Sequence, residues 1–248
     1  MSSNVGSHGA EGALDTYDTR HTPESNHAHH QHGELVLYHY FRSSAAYRTR
    51  IALNLKGLDY QYVSVHLTKE GGQQFKPEFK HKNPQQLVPL LDDHGLMVSQ
   101  SMAIIEYLDE KFPQPPLLPN TLEGRARVRQ LSLAVCCDIH PLQNLRVLKY
   151  LTDTLKLNEE QKLKWVQNWL TIGLQALETD LSTAPTCGTF CYGDTPTMAD
   201  CVLVPQMFSA KRFEIDTAPF PTLQRIWFAC DALAAFANAH PTKQIDAE

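Results

Sequence analysis

Glu34-Leu-Val-Leu-Tyr-His-Tyr-Phe-Arg-Ser-Ser-Ala-Ala-Tyr-Arg-Thr-Arg-Ile-Ala-Leu-Asn-Leu-Lys-Gly57 carries two structural signals in succession. Residues 34–40 form a short apolar run of the kind that builds a buried strand, and it stops at Arg42-Ser43-Ser44. Over residues 45–55 the apolar positions change period: Tyr47, Ile51 and Leu55 recur at i, i+4 and i+8, which predicts a helix. Lys56 supplies a cation at its end and Gly57 a left-handed cap. Residues 60–67, rich in aromatic and β-branched side chains, then predict a second strand, so the unit is β-α-β.

Working outward, Gly71-Gly72 breaks the chain. Residues 87–91 and Met97-Val98 flank Asp92-Asp93-His94-Gly95, a tight-turn sequence that predicts a hairpin. A helix is expected over residues 101–111. The prolines of residues 113–119 fix φ and remove donors, marking a stiff linker over 113–121 between domains at 34–112 and 122–248. Stretches at 123–155, 158–182, 197–212 and 222–239 have helical periodicity, and no repeat of fixed period is present. The fold class expected is therefore α/β followed by an all-α part.

Composition narrows the function. A chain of 248 residues with 42% hydrophobic side chains can build two cores without staples. A net charge of −5 and the lack of a long basic run exclude the phosphate neutralisation that nucleic-acid binding requires. No apolar stretch is long enough for a membrane span, and the first thirty residues lack a signal-type apolar core, so a cytoplasmic protein is expected. The six cysteines form no C-x-x-C pair and are expected as buried, reduced thiols. Residues 1–33 hold half of the twelve histidines in a polar background and are expected to be disordered. His27, His29, His30 and His32 are read as a solvated tail, with no metal site expected.

Three features point toward a thiol-peptide site, each with a plainer alternative. Ser43-Ser44 places hydroxyls and free N–H groups at the positive end of a helix, which suits a thiolate; the plainer reading is an N-cap. Val88-Pro89 puts a proline in a strand-like run; a cis bond there leaves the Val88 backbone free to pair with an extended peptide, whereas the alternative is an ordinary edge-strand proline. Gln100-Ser101 opens the next helix, suited to a carboxylate or simply to capping.

In combination with Tyr40-Phe-Arg-Ser-Ser44, Arg48-Thr-Arg-Ile-Ala-Leu53, Gly71-Gly-Gln-Gln-Phe75, Asn83-Pro-Gln-Gln-Leu-Val-Pro89, Gln100-Ser-Met-Ala-Ile-Ile-Glu-Tyr-Leu108, His140-Pro-Leu-Gln-Asn144 and Gly193-Asp-Thr-Pro-Thr-Met-Ala-Asp200, this order resembles the soluble glutathione transferases. Within them it is similar to the zeta class, which includes maleylacetoacetate and maleylpyruvate isomerases. The resemblance spans about residues 34–240 and implies a thioredoxin-like first domain, a helical second one, glutathione as cofactor and a homodimer. It implies that Ser43 holds the glutathione thiolate and Ser44 supports it. It further implies that Gln74, Val88, Gln100 and Ser101, with His140 and Asn144 from one helical face, bind the tripeptide. The resemblance implies that Arg42, Arg146 and Arg212 fall where the maleylpyruvate-type enzymes place substrate-facing arginines, with Arg212 also matching the wider zeta class, and guanidinium suits a diacid; a solvated or ion-paired arginine is the alternative at each. A helix cap or a core position is the alternative for His140. Thr197-Met-Ala-Asp200 reads as a capping box with a folding role.

The implied activity is conversion of maleylacetoacetate to fumarylacetoacetate in phenylalanine and tyrosine catabolism. The alternatives are maleylpyruvate isomerisation in the gentisate pathway, general conjugation or dehalogenation, and a non-catalytic scaffold, against which the retained serines argue. Many maleylacetoacetate isomerases read Ser-Ser-Cys where this chain has Ser43-Ser44-Ala45, which removes a protein thiol from the turn and tilts toward maleylpyruvate. Tyr47 stands where relatives have Trp or His, and nothing in the sequence explains it.

Overall fold

The computed structural model describes residues 35–248, and the tail expected to be disordered, with its histidines, lies outside the described residues. The chain runs β1 (Leu35–His39), α1 (Ser44–Leu55), β2 (Tyr60–Ser64), α2 (Pro77–Lys82), β3 (Leu90–Asp93), β4 (Leu96–Ser99) and α3 (Ser101–Lys111). After it come α4 (Leu122–Leu133), α5 (Leu145–Lys149), α6 (Glu159–Thr183), α7 (Met198–Arg212), α8 (Pro221–Asp231) and α9 (Ala234–Ala239). The four strands form one sheet in the order β2-β1-β3-β4, with β1 parallel to β2 and antiparallel to β3. This is an α/β unit followed by a helical region, as the residue pattern predicts, and the unit is thioredoxin-like, as the resemblance implies.

Local chemistry accounts for the details. The β3–β4 turn needs positive φ at both central positions, and His94 (54°) and Gly95 (92°) supply it while Asp92 Oδ1 accepts from the Gly95 N–H at 2.7 Å. Strand β2 ends at Ser64 and does not reach Leu67, because the Gln73 side chain takes the His66 N–H at 2.8 Å and draws the backbone out of the sheet. Pairing of β3 starts only at Leu90, after the cis Val88-Pro89 bond, because proline brings no N–H to a ladder.

The predicted first helix forms, and it is buried beyond its apolar positions: Ala46 through Leu53 are all inaccessible, Arg48 and Arg50 included. It is packed between the sheet and α3 on one side and α7 and α9 on the other, so no face is left for water. Arg50 meets this burial with neutral acceptors. It donates to the carbonyls of Phe41 (3.0 Å), Ala239 (3.1 Å) and Tyr40 (3.4 Å), and to His39 Nδ1 (3.2 Å). Lys56 is also buried. Its ammonium pairs with Asp109 at 2.8 Å and donates to the carbonyls of Phe112 and Pro115, tying the end of α1 to the proline-rich segment.

Two expected helical stretches are interrupted. Residues 123–155 break into α4, wide turns over Ala134–Ile139, a short 3-10 segment His140–Gln143, then α5, because Pro141 cannot donate to the helical ladder and Asn144 caps a new helix. Residues 222–239 divide at Leu233, whose backbone is extended, so that Phe236 and Ala239 turn into the core. Asn158 and Gln161 cap α6 reciprocally. The predicted Thr197–Asp200 capping box starts α7, with the buried Asp200 carboxylate accepting from the N–H groups of Thr197 (2.7 Å) and Cys191 (2.8 Å). Helix α7 is buried along most of its length and forms the axis of a core that also takes side chains from α1, α4, α6 and α8.

All six cysteines are free thiols; Cys191, Cys201 and Cys230 are buried as expected, but Cys136 and Cys187 are only partly covered and Cys137 is exposed. No helix among the described residues is long and apolar enough to cross a membrane.

Two stability predictions follow from these buried charges. Burial and the Arg50 charge hold His39 at about 3, below its ordinary 6.5. The unfolded imidazole takes a proton below about 6.5 and the folded one resists it until about pH 3, so the stabilisation is complete above 6.5 and is lost as pH falls from 6.5 toward 3. Each pH unit in that window removes roughly 1.4 kcal/mol. Denaturant titrations between pH 7.5 and 5 should show this slope added to the like contribution of His140, which is lowered in the same way, and His39→Asn should remove the His39 share. Asp109→Ala strands the Lys56 ammonium and is expected to cost about 3–5 kcal/mol, whereas replacing both residues by apolar ones costs less, as chemical denaturation of the two variants will show.

Candidate active site

At the C-terminal end of β1 the chain turns through Arg42 into Ser43, which caps α1: its Oγ accepts from the Ala46 N–H at 3.2 Å. The N-cap reading of this serine is thus correct, and it is compatible with a second task. A capping hydroxyl spends an oxygen lone pair and keeps its proton, so it can still donate to an anion at the positive end of the helix. Ser44 Oγ lies 3.0 Å from Ser209 Oγ of α7, so the second serine binds the helical region to the turn.

Ser43 and Ser44 open onto a cleft of about 230 Å³ between the thioredoxin-like unit and the helical region. Arg42, Arg146 and Arg212 all line it. None of them has a carboxylate partner within ion-pair distance among the described residues. Arg42 and Arg212 lie over the rings of Phe41 and Phe213, 5.0 and 5.1 Å from the centroids. Partial burial, then the neighbouring Arg42 charge, lowers the Arg212 guanidinium below its usual value while leaving it a cation at neutral pH. The cleft is therefore a concentration of unneutralised positive charge, a place for anions.

Gln74, Val88, His140 and Asn144 also line this cleft. Gln74 is buried with its Oε1 unpartnered, and Gly72 makes room for it: at φ 108°, a Cβ on Gly72 would meet the Gln74 amide at 2.7 Å. Gln100 and Ser101 line a second, adjoining cavity of about 150 Å³, which shares Val88, His140, Asn144 and Arg146 with the first. Gln100 does not cap α3; it sits at φ 72° and donates its amide to Gln85 Oε1 at 2.8 Å. His140 and Asn144 do not share a helical face. The chain breaks between them, and Asn144 is the N-cap of α5, accepting from the Arg146 N–H at 3.1 Å. Burial and the Arg48 charge lower His140 to about 3, so it faces the site as a neutral imidazole.

The residue pattern gives no notice of three further participants. Ser209 lies one turn before Arg212 on α7 and lines the cleft, Gln143 lines it with both amide atoms unpartnered, and Arg48 lines the second cavity. Arg48 and Gln143 lie within stretches quoted for the resemblance, Arg48-Thr-Arg-Ile-Ala-Leu53 and His140-Pro-Leu-Gln-Asn144, but neither residue is assigned a role there, and Ser209 lies outside every such stretch. No cysteine lines the first cleft; Ala45 occupies that part of the wall.

Comparison with known proteins shows the family to which the chain belongs. Residues 33–110 match the family described as Glutathione S-transferase, N-terminal domain. A probable maleylacetoacetate isomerase from Vibrio cholerae is 48% identical over 213 residues, covering 86% of this chain and 98% of its own. Among solved structures, the holo form of a bacterial maleylpyruvate isomerase described as a zeta-class glutathione S-transferase is similar at 47% identity and a TM-score of 0.83, covering 86% of this chain and all of its own. A maleylacetoacetate isomerase from Anaeromyxobacter dehalogenans 2CP-1, with glutathione bound in its active site, is 44% identical with a TM-score of 0.77 over 87% of this chain and 98% of its own. The chain belongs to the glutathione transferase family, among the zeta-class enzymes that include maleylacetoacetate and maleylpyruvate isomerases.

Proposed function

We propose that this protein is a cytoplasmic, homodimeric, glutathione-dependent cis-trans isomerase that converts maleylacetoacetate to fumarylacetoacetate. The observation that carries the reading is the meeting of the Ser43 hydroxyl, at the positive end of α1, with three carboxylate-free arginines in one cleft. The residues suit glutathione: Val88 offers backbone groups outside the sheet ladder, Gln74 an unpartnered amide oxygen, and α3 an N-terminus with no side-chain cap. Neutral His140 and Asn144 close the site from the helical region.

When bound, glutathione supplies the thiolate that adds reversibly to the cis double bond and so frees it to rotate. Ser43 would hold the sulfur ionised through a hydrogen bond donated by its hydroxyl, aided by the helix terminus. Ser44, fixed by Ser209, keeps that turn in register with α7. Arg42, Arg146 and Arg212 take the terminal carboxylates and oppose the negative charge that develops on the substrate's carbonyl oxygen, an electrostatic contribution of the kind that usually dominates such chemistry.

Maleylpyruvate is the alternative substrate, favoured by Ala45 in the cleft wall and by Arg42 and Arg146 beside Arg212. Assaying the two diacids side by side, with and without glutathione, tests both; turnover that is unchanged when the tripeptide is withheld defeats both. Ser43→Ala is expected to lower kcat about 10²–10³-fold while changing glutathione affinity only a few-fold. Arg212→Gln should raise KM for the diacid by about tenfold or more and leave glutathione affinity unchanged, as steady-state kinetics and calorimetry will report.

A further inference from the structure

Arg48 is the least compensated charge in the described protein. Its guanidinium is buried, 2% exposed, and only one nitrogen finds partners: NH1 donates to Ser101 Oγ at 3.3 Å and to Cys136 Sγ at 3.0 Å. Nε and NH2 have none. Among the described residues no carboxylate lies within ion-pair distance. The titratable neighbours that act on it are the thiols of Cys136 and Cys137; burial, outweighing the Arg48 charge, raises Cys136, so that sulfur is protonated at neutral pH and neutralises nothing. His140, the imidazole it acts upon, is uncharged as well.

Such a charge contrasts with Arg50, two residues on. Arg50 has four acceptors and serves the backbone around it. Arg48 faces the other way, into the second cavity with Gln100, Ser101, Asn144 and Arg146. Helix α3 begins there without a side-chain cap, and Gln100 before it is held at φ 72° in the left-handed region that favours glycine. A buried cation with unmet donors, touching the first residue of an uncapped helix, describes a site completed by an anion.

We propose that Arg48 is a positioning residue for the α-carboxylate of glutathione's γ-glutamyl end. Through Ser101 Oγ and its uncompensated charge, it makes the second cavity selective for a carboxylate over a neutral group of the same shape. The inference rests on the glutathione reading above and adds to it a residue that does not touch the thiol or the diacid. It also gives a reason for Arg48 to be kept buried and unpaired: the ligand supplies its missing counter-charge.

Calorimetric titration with glutathione, with 4-aminobutyryl-cysteinylglycine, which lacks only that carboxylate, and with the glycine amide of glutathione tests it. The wild-type protein should bind the first compound on the order of tenfold or more tighter than the second. Arg48→Gln should abolish that preference while leaving the effect of the glycine amide unchanged, and Arg48→Lys, which keeps the charge, should restore it. Arg48→Met, which fills the same buried space with an uncharged side chain, should likewise abolish the preference and serves where Arg48→Gln does not fold. An equal loss for all three ligands in Arg48→Gln, or wild-type protein that binds glutathione and its decarboxylated analogue alike, overturns the proposal while leaving the glutathione reading standing. Absence of any glutathione binding by the wild type overturns both.

Discussion

Helix α1 has no side in water, and the placement of everything else follows from how its buried cations are satisfied. Arg50 gathers the carbonyls of Tyr40 and Phe41, just beyond β1, and that of Ala239, at the end of α9, around one planar donor group. Five fixed N–H groups in a plane suit this better than a lysine, whose point charge has no preferred fork. The turn that carries Arg42 and Ser43 is thereby fastened to a helix far along the chain. Lys56 does the same at the other end of α1 with Asp109 and the segment leading to α4.

A helix held at both ends in this way delivers its N-terminus to the cleft with little freedom. Ser43 caps it from within, and Ser44 meets Ser209 of α7 across the interface. One turn later α7 presents Arg212, so the serine turn and the arginine are both referenced to the same rigid element. Geometry of this kind matters because a donor aimed at a developing charge is effective only if it does not have to reorganise. The price of the arrangement is a set of unpaired cations whose mutual repulsion is relieved when anions arrive.

Much of this frame is legible residue by residue. The β-α-β unit, the hairpin at His94-Gly95, helix α3 and the Thr197–Asp200 box are local: each depends on neighbours within a few positions, and the structure holds each of them. The failures have a common cause. Residues 123–155 have helical periodicity throughout, yet Pro141 and the Asn144 cap divide them, and that division carries His140 and Asn144 off the shared face that their spacing suggests. Arg48 and Arg50 are made interior by segments distant in the chain, Ser101 and Cys136 against Arg48 and Ala239 against Arg50.

By itself, then, the order of residues determined the β-α-β unit, the hairpin, α3 and the cap of α7, and it placed a pair of serines at the start of α1. Those are properties of short-range sterics, hydrogen-bond capping and hydrophobic period. The tertiary structure alone decided which polar groups are buried, that Ser44 meets Ser209, and that Arg48 remains without a counter-ion beside Ser101. Burial and charge compensation are set by elements distant in the chain, and no local pattern records which of them will arrive.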